Sequence, residues 1–426
     1  MAMNLDKKFK IIGKKEIGGE IRVNGAKNAA LKILAGLVLS KDRCLIKNFP
    51  FIEDTQRMLE LLESMGAKVT RNQDEKEVEV DPAGIQEADL DGKLARSLRA
   101  SILLVGPLLA RFGKVKMTHP GGCVIGKRPI DMFLEGFQAL GAEMESHGDQ
   151  FYLKSKEGFL LGAEYFFPKI SVTGTEAMMM TAVLAKGETV LRNCAMEPEI
   201  SVLADYLNSQ GAQIEGAGTP VMRIRGVEKI SAGEFEVIPD RIETGTFVML
   251  GLASNSEIKI TDCNPEHLGA VLPILKKAGA DLEVGENYIK TRKHSGLKAV
   301  SITTHEYPGF ATDLQPPYTL LMTQAEGTSL IHEAIFEGRL FFTDQLATMG
   351  AQSIMCDPHR VVITGPSKLY GKRLSSPDLR AGITMVIAGI IAEGETVIDN
   401  IYQIDRGYED IDNRLKSLGV DIERID

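Results

Sequence analysis

Apolar positions along the chain follow two alternating patterns. One recurs at helical spacing: Met58, Leu61, Leu62 and Met65 share one face of a 3.6-residue helix, as do Ile411, Leu415 and Leu418. Such stretches end on a Gly-Ala or Gly-Val pair followed by a strand-like run, in ESMGAKV, QALGAEM, NSQGAQI, KKAGADL, ATMGAQS and KSLGVDI. The glycines are Gly66, Gly141, Gly211, Gly279, Gly350 and Gly419, spaced 75, 70, 68, 71 and 69 residues apart. Six recurrences at so even a spacing mark an internal repeat. Each glycine stands where a helix stops, because it takes the left-handed conformation without the steric cost of a Cβ.

The second pattern is continuous. NAALKILAGLVLS from Asn28, RASILLVGPLLARF from Arg99 and RAGITMVIAGIIAEG from Arg380 are apolar nearly all round, so each predicts a helix buried on every face. A polar residue is expected immediately before each buried helix: Lys27, Arg99, Thr175, Thr244, Asp313 and Arg380. Every repeat then reads as strand, buried helix, strand, exposed helix, glycine turn and strand. Such units exceed the roughly 20–50 residues of solenoid repeats and fit two domains of three units each. The midpoint lies near EVIPDRIETGT, where Pro239 ends a strand and marks a hinge.

The N-termini of the buried helices carry partial positive charge beside Lys27 and Arg99. A cation there is unfavourable unless an anion offsets it, so these positions predict a phosphate site; ordinary solvated helix-end residues are the alternative. The first glycine spacing is the longest because MTHPGGCVIGKRPIDM is longer than its counterparts RNCAMEPE and TDCNPE. That loop holds Pro120, Gly121, Gly122, Cys123, Gly126, Lys127 and Arg128. Neighbouring cations favour a thiolate, so Cys123 reads as a reactive thiol. Cys44, Cys194, Cys263 and Cys356 read as buried structural thiols.

Composition narrows the classes. The chain has 426 residues, 44% hydrophobic and 25% charged, which is ordinary for globular domains. A net charge of −9 argues against a nucleic-acid partner but leaves room for a local basic pocket. No apolar run approaches the roughly 20 residues that span a bilayer, and MAMNLDKKFK has no signal-peptide core. Five dispersed cysteines without a CxxC or paired histidines predict neither a disulfide framework nor a metal site. The cytoplasm is the expected compartment, and the sequence assigns no oligomeric state.

PGGCVIGKRPID, with NGAKNAA, SLRAS, FATDLQ, DLRAG and IDRGYE, resembles the bacterial UDP-N-acetylglucosamine 1-carboxyvinyltransferases. The resemblance runs from about Gly13 to Glu423. It implies an α/β (α+β) fold of two inside-out α/β barrel domains, each of three βαβαββ repeats. The expected domains are 22–237, and 1–21 with 238–426, with the active site in the cleft between them. The implied reaction moves the enolpyruvyl group of phosphoenolpyruvate to the 3′-hydroxyl of UDP-N-acetylglucosamine with release of phosphate, the first committed step of peptidoglycan synthesis. Neither a metal nor an organic cofactor is implied.

The same resemblance assigns roles. Lys27 and Asn28 match the motif that contacts phosphoenolpyruvate and the sugar. Arg99, Arg128, Arg380 and Arg406 match arginines that neutralise phosphate and carboxylate, a task suited to the bidentate guanidinium. Arg128, Pro129, Ile130, Asp131 and Met132 match the uridine-holding segment, as do Lys169, Ser171 and Val172, and Thr173 stands against the nucleotide. Asp313 matches the base near the acceptor hydroxyl, Ile335 lines the nucleotide pocket, and Cys123 matches the acid that protonates the methylene carbon. Cys123 is also the implied target of the epoxide fosfomycin.

The chain departs from the family pattern at several positions. FATDLQPP, with Ala311, Pro316 and Pro317, replaces FPTDMQAQ; FEGR, with Gly338, replaces FENR; SVTGT, with Thr173, replaces SVGAT; and KNAALK, with Lys32, replaces KNAALP. None removes a charged catalytic group, but a paralogue with a modified nucleotide-sugar acceptor stays open. So do a 5-enolpyruvylshikimate-3-phosphate synthase-like transferase and a catalytically silent nucleotide-sugar-binding paralogue.

Overall fold

The computed structural model describes residues 7–86, 88–90, 92–118, 125 and 130–426. They divide into two compact units, one from the described residues of 25–123 and 127–238, the other from those of 1–24, 124–126 and 239–426. Each unit has its own apolar core.

One repeat shows the plan. Strand Glu164–Phe166 leads into helix Val172–Ala182, strand Glu188–Arg192, helix Pro198–Ser209 and strands Gln213–Glu215 and Val221–Arg225. Glu188–Arg192 pairs in parallel with Glu164–Phe166 (Leu191 opposite Tyr165) and antiparallel with Val221–Arg225, which pairs antiparallel with Gln213–Glu215. A parallel crossover through a buried helix and a hairpin after the glycine turn produce that order. It recurs in all six sheets among the described residues. In the sheet built on Lys114–Thr118, the parallel member shrinks to one bridge, Asp89 to Lys116. Strands Lys8–Ile12 and Gly19–Arg22 join sheets of the second unit, beside Glu395–Asp399 and Ile258–Thr261.

The expected α/β class and βαβαββ repeats are present. Among the described residues, no backbone pairing closes the sheets into a barrel; each unit carries three separate sheets and central helices. Helix Leu379–Ile391 is buried at all its positions, as is Arg241–Ala253 from Arg241 to Leu252, and both pack on Gln315–Met322. In the other unit, a Cβ on Gly106 would stand 2.0 Å from Thr181 Oγ1, so only glycine lets helix Val105–Phe112 approach Val172–Ala182 this closely.

All six repeat glycines have positive φ, from 89° to 113°. After helix Glu53–Ser64, Gly66 N–H donates to the Glu63 carbonyl and Ala67 N–H to that of Leu62, each at 3.0 Å. This is the Schellman pattern, which satisfies the last carbonyls of the helix.

Three expectations need correction. Thr175, Thr244 and Arg380 lie inside the first turns of their helices; the caps are Ser171, Asp240 and Asp378, whose side chains accept helix-start N–H groups. The stretch from Arg99 is a 3₁₀ segment, Arg99–Leu104, continued by the α-helix Val105–Phe112, with Pro107 in the first α-turn, where no N–H is needed. Cys44, Cys194 and Cys263 are buried, but Cys356 is exposed, because Gln352–Asp357 is an edge strand whose outer face carries it beside the exposed Ile354. Among the described residues, no helix is long and apolar enough to cross a membrane.

Candidate functional site

In the first unit, Lys27 opens helix Lys27–Gly36, whose N-cap Ala26 offers no side-chain acceptor and whose first turn holds no acid. Lys27 Nζ instead lies 2.7 Å from Asp54 Oδ2, at 13% and 6% side-chain exposure. A protein carboxylate thus supplies the anion that a cation at a helix N-terminus requires. Asn28 follows Lys27, half-buried, and the half-buried Arg99 opens its 3₁₀ segment.

The segments expected to hold the nucleotide also sit at helix starts. Ile130 is buried, and its carbonyl accepts from Phe133 and Leu134 N–H at 2.9 and 3.2 Å, starting helix Asp131–Ala139. Asp131 is exposed, where the helix dipole favours its charge. The Met132 carbonyl accepts from the Tyr165 hydroxyl at 3.0 Å. Lys169 is exposed, Val172 and Thr173 are half-buried, and Ser171 Oγ accepts from Gly174 N–H at 3.1 Å, so Ser171 serves as a helix cap. Cys123, Arg128 and Pro129 lie outside the described residues, as does most of the loop around them. Ile125 within it is buried, and its carbonyl accepts from Gly338 N–H at 2.9 Å in the same unit.

In the second unit, Asp313 lies in the 3₁₀ turn Thr312–Leu314 ahead of helix Gln315–Met322. Pro316 and Pro317 fall in the first turn of that helix, where their missing N–H groups cost no hydrogen bond. Arg339 Nη1 donates to Asp313 Oδ1 at 2.6 Å and Arg380 Nε donates to Oδ2 at 3.0 Å. Asp313 keeps a quarter of its side chain exposed, whereas both arginines are buried.

Burial is the largest influence on Arg380 and works against its charge, but Asp313, Tyr408 and Asp240 together outweigh it, and the guanidinium is held charged. Its Nη1 donates to the Tyr408 hydroxyl at 3.2 Å, which lies 3.1 Å from Thr246 Oγ1. Burial pushes the Tyr408 phenol up, against the pull of Arg380. Arg406 caps the short helix Tyr402–Asp405 and donates to Gln403 Oε1 at 3.0 Å. Ile335 N–H is bound by the buried Glu333 at 2.9 Å.

The structure therefore brings Asp313 and Arg380 together and sets Arg406 on a separate element. Sequence reasoning missed Asp54, Arg339, Glu333 and Tyr408. Arg339 stands in the FEGR motif, but only the neighbouring Gly338 drew notice there. Tyr408 likewise stands in IDRGYE, where only Arg406 drew notice, whereas Asp54 and Glu333 meet partners distant in sequence and stand in no quoted motif.

In the second unit, guanidiniums gathered around a partly exposed carboxylate are groups suited to an anionic substrate; in the first, a lysine opens a buried helix. Comparison with known proteins agrees. The chain is 46% identical over 420 residues to a UDP-N-acetylglucosamine 1-carboxyvinyltransferase of Saccharophagus degradans, covering 98% of this chain and 99% of that one. It is 43% identical to the protein of that name from Coxiella burnetii, covering 98% and 96%. Among solved structures, the enolpyruvyl transferase NikO from Streptomyces tendae shares the fold with a TM-score of 0.89 at 23% identity, over 98% of this chain and 99% of that one. The EPSP synthase of Acinetobacter baumannii gives 0.75 at 19%, over 99% and 100%. The family model of EPSP synthase (3-phosphoshikimate 1-carboxyvinyltransferase) matches residues 11–415, and the chain belongs to that family.

Proposed function

We propose that this protein transfers the enolpyruvyl group of phosphoenolpyruvate to the 3′-hydroxyl of UDP-N-acetylglucosamine, releasing phosphate. The observation that carries the reading is the 46% identity over 420 residues to a relative of that activity by name. The Asp313 cluster supports it with a partly exposed carboxylate beside buried cations.

In this reading Cys123 protonates the methylene carbon of phosphoenolpyruvate and leaves C2 electrophilic. Asp313 accepts the hydroxyl proton as the acceptor oxygen bonds to C2. The tetrahedral intermediate then expels phosphate and returns a proton from its methyl group, restoring the double bond. Lys27, Arg99, Arg128, Arg380 and Arg406 neutralise the phosphate and carboxylate, and Asn28, Ile130–Met132, Lys169, Ser171–Thr173 and Ile335 hold the nucleotide sugar.

Phosphate release from phosphoenolpyruvate tests the reading. It is expected with UDP-N-acetylglucosamine and not with shikimate 3-phosphate; the reverse preference would transfer the assignment to the family's other branch. Cys123 has its own test. An aspartate can donate a proton but is a poor nucleophile toward an epoxide. Cys123→Asp should therefore keep substantial turnover and resist fosfomycin, while Cys123→Ala loses most turnover. An aspartate variant that stays sensitive refutes the role of Cys123.

A further inference from the structure

Glu333 follows strand Ala325–His332 and is fully buried. Its carboxylate accepts four hydrogen bonds. On Oε1 they come from Thr304 Oγ1 at 3.0 Å, Ile335 N–H at 2.9 Å and Phe336 N–H at 3.1 Å; on Oε2, from Thr312 Oγ1 at 2.9 Å. The direction of the first is fixed, because Thr304 Oγ1 itself accepts from Ala334 N–H at 2.9 Å and so turns its proton to Glu333. The Glu333 backbone is tied as well: its N–H donates to the His359 carbonyl at 2.7 Å and its carbonyl meets His359 Nδ1 at 2.6 Å.

The two oxygens lead to different places. Oε1 gathers the backbone at Ile335 and Phe336, while Oε2 reaches the turn that carries Asp313. Only a carboxylate suits both tasks. A glutamine keeps one acceptor oxygen and must turn its NH₂ toward Thr312, whose hydroxyl then reverses to accept. An apolar side chain would strand four donors, two of them backbone N–H groups.

We infer that Glu333 is a positioning residue that fixes the proton-accepting Asp313 relative to the acceptor-binding segment at Ile335. The inference rests on the proposed function. Its consequence is that the Oε2 arm governs turnover and the Oε1 arm governs acceptor affinity.

Steady-state phosphate release with UDP-N-acetylglucosamine as the varied substrate separates the two arms. Thr312→Val cuts only the Oε2 arm and should lower kcat about tenfold, the scale of one hydrogen bond to a charged group, with KM for the nucleotide sugar unchanged. Glu333→Gln keeps that bond only in reversed, uncharged form, so it should lower kcat by less than Thr312→Val and leave KM within a few-fold, and the double variant should be no worse than Thr312→Val alone, because both changes act through one bond. Glu333→Ala should raise KM and lower kcat together. Where it does not fold, the other three variants decide. Normal kcat in Thr312→Val, or fully additive losses in the double variant, overturns the inference while an active wild type leaves the proposed function standing. A wild type that releases no phosphate overturns the proposed function and this inference with it.

Discussion

Asp313 and Glu176 are carboxylates near the starts of central helices, one in each unit, and their surroundings are opposite. Asp313 is a quarter exposed, with a guanidinium on each oxygen. Glu176 is fully buried in helix Val172–Ala182; Lys32 Nζ stands 3.5 Å from Oε2, at the outer limit of a hydrogen bond, and among the described residues no closer donor reaches either oxygen. Burial pushes the Glu176 carboxyl up to about 8, against the pull of Lys32 and with help from Glu199 and Glu197. Burial alone therefore does not mark a working acid or base. A proton acceptor needs both a stabilised charge and access to a substrate, and of these two only Asp313 combines them.

Removing a partner should separate the two environments most clearly. Arg380→Met takes a buried guanidinium from Asp313 and Tyr408 and should cost about 3 kcal/mol, because the buried Tyr408 hydroxyl and one Asp313 oxygen lose this donor even though Arg339 stays on the other oxygen. Denaturant unfolding followed by fluorescence or circular dichroism reads this cost; a loss under about 1 kcal/mol, the range of exposed ion pairs, would show that the cluster is solvated in solution.

Asp313→Asn is the functional counterpart. It preserves shape but cannot take the hydroxyl proton, so kcat should fall by about 10²-fold or more while UDP-N-acetylglucosamine still binds by calorimetry. Near-normal turnover would reduce Asp313 to an anchor for Arg339 and Arg380.

The same contrast explains what the sequence disclosed. The repeat, the buried helices and the glycine turns were legible because each is written locally, as in the Leu61–Gly66–Ala67 stretch, where apolar spacing and a positive-φ residue suffice. Asp313 and Arg380 stood in recognisable motifs, so their candidacy was legible, but their pairing across 67 residues was not. Lys32 was visible as a departure in KNAALK, and its reason was hidden, because Glu176 lies in another repeat. The helix caps Ser171, Asp240 and Asp378 were within reach, since each is a favoured capping residue ahead of an apolar run.

Lys32 and Glu176 yield an effect that is small at pH 5 and grows as pH rises, and its sign can be worked out. A carboxyl that titrates near 4.5 in the unfolded chain and at about 8 in the folded one binds its proton more tightly when folded. Between those values the folded state holds more protons, so stability falls as pH rises. The stabilisation from the bound proton is full below about pH 4.5 and is lost as pH climbs through about 8. The slope cannot exceed about 1.4 kcal/mol per pH unit for one proton, and the pull of the nearby lysine lowers the upper edge of the window rather than the slope. Replacing both members, Lys32→Met with Glu176→Gln, removes the titration without stranding a charge, and such exchanges of buried pairs are often neutral or stabilising. The double variant should match the wild type at pH 5 within about 1 kcal/mol and unfold at a higher temperature at pH 9. Parallel melting curves for the two proteins from pH 5 to 9 would instead mean that Glu176 stays charged throughout, held by Lys32 more tightly than a 3.5 Å contact allows.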